Sequence, residues 1–313
     1  MPLRGKALLN ILVFCSVLGL NLNLSGQDGS STGKCGFQNL IIHSPAGTSG
    51  NPTALNDKGS VVGLLNIGIG TANVRTIGFL QQSSGEFTSF NFPGAHDTFA
   101  RDINKNGLIV GSWDTQPGQI VSEQHAFKVQ NGVFKEVTIP GFPGSAALAE
   151  GVNDLGDIVG QFNDHGSNVG FLLHNGKLTI ISFPGAKQGT LPLSINNSGV
   201  VVGTYMLFPD DIPHGFIWKN GNFTNLTTPA GFIATPNKIS NGGDIVGSFV
   251  DANLIEHGFS LDKGRFTSID FPGSIDTRIL AVNSFDNVVG LASVKSGSGF
   301  SNIDFKGFCS SVF

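Results

Sequence analysis

The chain has 313 residues, of which 40% are hydrophobic and 13% charged: enough apolar material for a sizeable core, and too little charge for a disordered chain. A formal charge of −4 speaks against a phosphate backbone as partner, so no nucleic acid is expected. With 44 Gly and 14 Pro the composition favours short strands and tight turns, and 26 Phe against two Trp and one Tyr assigns the aromatic rings to packing.

The first element is a secretory signal. Arg4 and Lys6 precede an apolar run from Ala7 to about Leu24, followed by small and polar residues. Cleavage is expected near Gly26, giving a signal peptide over 1–26, a flexible N-terminal segment over 27–34 and a folded domain over 35–313. Asn10, Asn21 and Asn23 interrupt the run, so no membrane insertion is expected after cleavage. The mature chain then keeps 16 cations against 22 acids, and only Cys35 and Cys309 of the three cysteines. Two thiols in an exported chain predict one disulfide between them.

From Leu55 onward the chain repeats itself. "LNDKGSVVG" at Leu55 returns as "INKNGLIVG" at Ile103, "VNDLGDIVG" at Val152, "INNSGVVVG" at Ile195, "ISNGGDIVG" at Ile239 and "VNSFDNVVG" at Val282, at intervals of 43 to 49 residues. Each copy sits in a longer unit. A segment such as "FTSFNFPG" (Phe87) or "FTSIDFPG" (Phe266) precedes it, and a variable loop and an aromatic segment such as "HAFKV" (His125) or "HGFIW" (His214) follow. Each unit reads as four strands, A to D: A and B joined by an Asn/Asp/Gly turn, C and D by an Asn-Gly hairpin as at Asn131-Gly132, Asn175-Gly176 and Asn220-Gly221. Connections this short make an antiparallel meander, and Pro93, Pro184 and Pro272 mark where D strands stop.

Four-stranded sheets every 40-odd residues predict an all-β fold, a six-bladed β-propeller of four-stranded antiparallel blades. Two further D-like segments stand at the ends, "FQNLIIHSP" from Phe37 and "FCSSVF" from Phe308, after a last C strand around Phe300. The expectation is that the N- and C-terminal strands close the ring and that Cys35 and Cys309, beside them, lock it.

The His-Ala-Phe at His125 to Phe127 and the six-fold repeat around it resemble the HAF-type extracellular repeat proteins, common among secreted proteins of environmental bacteria. The resemblance covers the chain from Phe37 and implies secretion; it brings no catalytic residue to carry over.

Residues shared around a ring answer needs shared around a ring. His125, His214 and His257, each two before a strand C Phe, therefore read as structural, and Asn56, Asn104, Asn153, Asn196 and Asn283 as turn formers. Function is sought where the copies differ. Strand A carries Arg101, Asp102, Glu150 and Lys238 near the axis, either as ion pairs or as a ligand-binding polar channel mouth. The B–C loops offer Asp114, Asp164, Asp210, Asp211 and Asp251, which lack the ordered series of a calcium loop and read as solvated, while His96 and Asp97 read as a turn. No nucleophile elbow, zinc-protease motif or Walker loop is present. The expectation is a secreted monomeric binding or scaffold module for a glycan or extracellular protein, without cofactor, metal or catalytic residues. The alternative is a polysaccharide hydrolase or lyase working at the channel mouth.

Overall fold

The structure, a computed structural model, describes residues 38–39, 42, 45, 48–71, 73–116, 124–186, 189–209, 212–295 and 303–311, with 38–39 and 303–311 as backbone. The signal segment, residues 27–34 and Cys35 lie outside the described residues, as do Asp210, Asp211 and Phe300.

The described chain opens with β1 (Gln38–Asn39). Blade 1 comprises β2 (Ser49–Leu55), β3 (Val61–Ile67), β4 (Arg75–Gln81) and β5 (Phe87–Phe90). In blade 2 the strands are β6 (Asp97–Ile103), β7 (Ile109–Asp114), β8 (His125–Gln130) and β9 (Val133–Glu136). Blade 3 runs through β10 (Ala147–Val152), β11 (Ile158–Asp164), β12 (Ser167–His174) and β13 (Lys177–Ile181). Next come β14 (Thr190–Ile195), β15 (Val201–Met206), β16 (Pro213–Lys219) and β17 (Asn222–Leu226) as blade 4. Blade 5 holds β18 (Ala234–Ile239), β19 (Ile245–Val250), β20 (Glu256–Asp262) and β21 (Arg265–Ile269). All five are antiparallel meanders in chain order, the architecture of a β-propeller.

Where six blades were expected, five of this kind are found. The last copy, with β22 (Ser274–Val282), β23 (Asn287–Lys295) and β24 (Ile303–Ser311), enters a sheet of order β1-β24-β23-β22. Its fourth strand comes from the start of the chain, and among the described residues two pairs hold it, Gln38 with Cys309 and Asn39 with Phe308. Strand C of this copy is also not where the sequence suggested. In every blade the strand B glycine lies opposite the strand C Phe, as Gly111 does Phe127 and Gly203 does Phe216; here Gly290 lies opposite Phe308. The segment from Phe308 is therefore part of a C strand and not an extra D strand. The longer excursion lets β23 and β24 pair over nine residues each.

That glycine–phenylalanine register builds the core. Phe79, Phe127, Phe171, Phe216 and Phe259 are fully buried, and Gly63, Gly111, Gly203 and Gly247 leave the space their opposite ring fills. At the far end of strand C the Asn-Gly hairpins expected from the sequence are present, with φ of 50° and 76° at Asn131 and Gly132. Two successive positive φ values are what a two-residue hairpin with the strand's twist requires.

The recurring Asn does more than form its turn. Asn104 Oδ1 accepts the N–H groups of Asn106 and Leu108, while its Nδ2 donates to the backbone oxygen of Asn153 in the next blade at 2.9 Å. The same forward link joins Asn56 to Asn104, Asn153 to Asn196, Asn196 to Ser240, and Asn283 to Asn56. In blade 5 Ser240 takes the position, and among the described residues no such bond runs from it to Asn283.

Candidate functional site

Strand A of every copy carries a β-bulge at the position before its penultimate pairing, as between Ala100 and Asp102. The bulged residues are Thr53, Arg101, Glu150, Leu193, Asn237 and Leu280, and the residues after them are Ala54, Asp102, Gly151, Ser194, Lys238 and Ala281. A bulge leaves its extra residue without a ladder partner and re-aims the side chain. The charges singled out from the sequence thus occupy two adjacent tiers at the axis.

The structure pairs all four. Lys238 Nζ of blade 5 bonds Asp102 Oδ1 of blade 2 across the axis, the small Ala54, Gly151, Ser194 and Ala281 sharing that tier. Asp102 is 2% exposed, and its other lone pairs accept the N–H of Ile103 at 2.8 Å and of Val152 in blade 3 at 2.8 Å. Three of the carboxylate's roughly four acceptor sites are thus taken by donors of the protein itself. Arg101 Nε faces Glu150 Oε2 at 3.7 Å, and the guanidinium lies 5.8 Å from the centre of the Phe99 ring. The uncharged bulge residues bridge blades as well: Thr53 Oγ1 donates to the Ala100 oxygen at 2.9 Å and Asn237 Nδ2 to that of Ile279 at 2.7 Å.

At the A–B turns the axis is closed by a second network. Asp154 accepts the Lys105 N–H at 2.9 Å, Asn197 Nδ2 at 3.0 Å and Asn241 Nδ2 at 2.8 Å, with Lys105 Nζ at 3.4 Å. Burial alone would raise its pKa; these donors outweigh it and hold the carboxyl below its usual range. The cavity that remains among Asp57, Asp154, Lys238 and Asn241 is about 40 Å³, room for very few water molecules and none for a sugar ring.

The opposite face, with the B–C and D–A connections, is less uniform. His125 stacks on Trp113 at 4.7 Å and Trp113 on Phe92 at 4.4 Å; His214, Tyr205 and Phe183 repeat the stack, and His257 and Phe249 its inner pair. The histidine is thus the cross-strand cover of a strand B aromatic, which agrees with a structural reading. His257 also meets Asp270 at 2.9 Å and Asp251 at 3.6 Å. Burial would lower its pKa, but these two carboxylates raise it. A folded pKa above the unfolded value of about 6.5 contributes stability below that pH that is lost as pH rises through the folded value. Thermal melts should therefore show the wild type's advantage over His257→Gln at pH 5.5 and little of it at pH 8.5; equal differences at both would refute the coupling.

Of the loop acids, Asp251 is a turn former that accepts the N–H groups of Asn253 and Ile255, and Asp164 pairs with the neighbouring His165 at 2.5 Å. Asp114 is not solvated: it is 1% exposed, and the strand register sets it directly opposite Asp97. A cavity of about 230 Å³ lies at the equivalent place in blade 3, among Ala146, Gln161, Phe162, Asn163 and Asn168.

No family model matches the chain, and no curated protein does. Solved structures do. TolB from Acinetobacter baumannii is 11% identical with a TM-score of 0.49, covering 80% of this chain, which spans 63% of TolB's length. The α-L-arabinofuranosidase Arb93A from Fusarium graminearum is 9% identical with a TM-score of 0.45, over 89% of this chain and 97% of that one. The β-propeller domain of the Trilobed protease from Pyrococcus furiosus, a propeller of open velcro topology, is 10% identical with a TM-score of 0.50, over 82% of this chain and 78% of that one. At such identities the likeness is one of fold: four-stranded antiparallel blades set in a β-propeller.

Proposed function

We propose that this chain is a secreted, monomeric β-propeller module of the HAF type whose B–C face docks an extracellular protein. The observation that carries this reading is the placement of apolar surface. Among the described residues eleven large apolar side chains are exposed, and seven of them, Ile69, Val74, Phe208, Ile212, Val250, Leu254 and Ile255, lie on or beside the B–C connections of blades 1, 4 and 5. Blades 4 and 5 are neighbours, so five of the seven share one sector. Clustered apolar side chains on a rigid scaffold are the usual core of a protein interface. Phe208 is the sole exposed aromatic ring among the seven, which makes stacking on sugar faces the lesser use of this surface.

A hydrolase or lyase site at the channel mouth has less support. Its acids, Asp102 and Glu150, face Lys238 and Arg101, and the axial cavity admits water only. A ligand role for Arg101, Asp102, Glu150 and Lys238 gives way to a structural one for the same reason. Closure of the ring belongs to the same proposal; its support is the pair of bonds from Asn283 Nδ2 to the Asn56 oxygen at 3.4 Å and from the Ser284 N–H to Asp57 Oδ1 at 2.8 Å. Cys309 on β24 lies opposite Gln38, three residues from Cys35, so a disulfide joining them would tie that edge.

The test is crosslinking of the mature protein to the surface and secreted proteins of its producing cell, with a glycan array alongside. A crosslinked protein whose yield falls at least about tenfold in Phe208→Ser/Leu254→Ser and is unchanged in Arg101→Ala supports the reading. Glycan binding that survives the double substitution, or polysaccharide cleavage lost in Glu150→Gln, overturns it.

A further inference from the structure

Blade 2 departs from its neighbours at the start of strand A and the end of strand B. Asp97 opens β6 and Asp114 closes β7, directly opposite one another in the ladder, with His96 just before. Both aspartates are buried, Asp97 at 4% and Asp114 at 1% exposure. Like charges facing each other across a strand pair, out of water, are unfavourable twice over. One oxygen of Asp97 is engaged, accepting the Thr76 N–H from blade 1 at 2.6 Å; the other lies 3.0 Å from His96 Nδ1.

Asp114 has no such satisfaction. Neither of its carboxylate oxygens completes a hydrogen bond, and His96 Nδ1 completes none either. Burial, then the Asp97 charge, raise the Asp114 pKa, against the lowering influence of the Asp97 N–H, the Gln124 amide and His96. A buried carboxylate whose oxygens complete no hydrogen bond is left short of compensation that an added cation, or a proton, would supply. The ligand atoms of His96, Asp97 and Asp114 all lie within 4.8 Å of one another, the sole such group of three among the described residues. Three ligands of a single cation at about 2.0–2.2 Å stand about 3.3–3.8 Å from one another; His96 Nδ1 and Asp97 Oδ2, 3.0 Å apart, are already that close, and the trio as a whole needs to draw in by about an ångström at most.

We infer that His96, Asp97 and Asp114 form a binding site for a divalent transition-metal ion. One imidazole nitrogen with two carboxylates suits zinc or manganese better than the all-oxygen shell that calcium takes. The Thr76 N–H supplies the outer contact that fixes the Asp97 carboxylate, and the half-buried His96 side chain leaves a way in. Three protein donors leave a coordination position for water. The other copies lack the donor set: the position of Asp114, three after the strand B glycine, holds Asn66, Asn163, Met206, Val250 and Ser293. The sequence expectation of no metal, and of a solvated Asp114, is replaced by this proposal.

Titration calorimetry of Zn²⁺ into tag-free, chelator-treated mature protein tests it, with melting temperatures read in parallel. The expected result is one ion per chain, a melting temperature that rises with Zn²⁺, and affinity lowered more than about 100-fold in both Asp114→Asn and His96→Gln. His257→Gln, which removes a histidine flanked by Asp251 and Asp270, should leave the binding unchanged. Asp114→Asn is isosteric and removes the unpaired charge, so it should fold and gain stability in the absence of metal. No Zn²⁺ binding at about 100 μM, binding that persists in Asp114→Asn and His96→Gln, or binding lost in His257→Gln would each overturn the site. In the first case, with Asp114→Asn still more stable than wild type, the charge that Asp114 needs is a proton.

Discussion

Replacing Lys238 by Met, or Asp102 by Ala, is expected to lower stability by about 3–5 kcal/mol, because each change leaves a charge near the axis without its counterpart. For a chain of this size that is a fall in melting temperature of about 5–8 °C. Asp102→Ala also strips the Ile103 and Val152 N–H groups of their acceptor, so the link between blades 2 and 3 weakens together with the link across the axis. The double variant Asp102→Asn/Lys238→Met should recover most of the loss: the amide keeps an acceptor for one N–H, and Met fills the volume of the lysine stem. Chemical denaturation of Asp102→Asn, Lys238→Met and the double forms a cycle, and additivity within about 0.5 kcal/mol would show that the pair is not coupled. A ligand-binding pair would behave differently, since its removal would change a binding constant and leave the melting temperature near that of the wild type.

A single methyl group at Gly111 is expected to cost as much. Its Cβ would lie 1.9 Å from the Phe99 oxygen and 2.9 Å from Phe127 Cε1, so strand A, strand B or the ring has to move. The expected loss for Gly111→Ala is about 3 kcal/mol or more, beyond ordinary overpacking, because the obstacle is backbone. Gly107 is the control. It has φ of 77° but open space around it, so Gly107→Ala pays only the conformational penalty of about 1 kcal/mol. Denaturation midpoints that rank the two substitutions the other way would refute this account of why the motif ends in glycine.

What was legible in the sequence is what depends on neighbours in the chain. The A–B turn is written in Asn104 to Gly107 and the C–D hairpin in Asn131-Gly132, since a turn needs only its own residues. The second duty of Asn104 was not legible, because its acceptor is 49 residues on and becomes a neighbour only when blades stack. The Asp102–Lys238 pair spans 136 residues, and strand A patterning could say that both were near the axis without saying that they meet. Strand C of the last copy was misplaced because Phe300 and Phe308 each follow a glycine, and the choice between them rests on register against Gly290. His96, Asp97 and Asp114 were visible singly, as turn and loop residues. Aligning the copies on the strand B glycine would have drawn attention to Asp114 as the one acid at its position; its pairing with Asp97 needed the ladder.

The Asn links all point the same way, from one blade to the next along the chain, and the outer turn bonds do the same: Lys105 to Asp154, Asp154 to Asn197, Asn197 to Asn241, Ser284 to Asp57. Among the described residues neither series has a bond leaving blade 5, where Ser240 and Asn241 precede Asn283 and Ser284, whereas blade 1, which the outer series also skips, keeps its link from Asn56 to Asn104. The turn face is therefore a zipper with a built-in seam, and under pulling force or at high temperature the blades should part there first. New chain ends cut beside Ser240 would sever the fewest clasps, whereas the same cut at Asn104 would break the series in its middle.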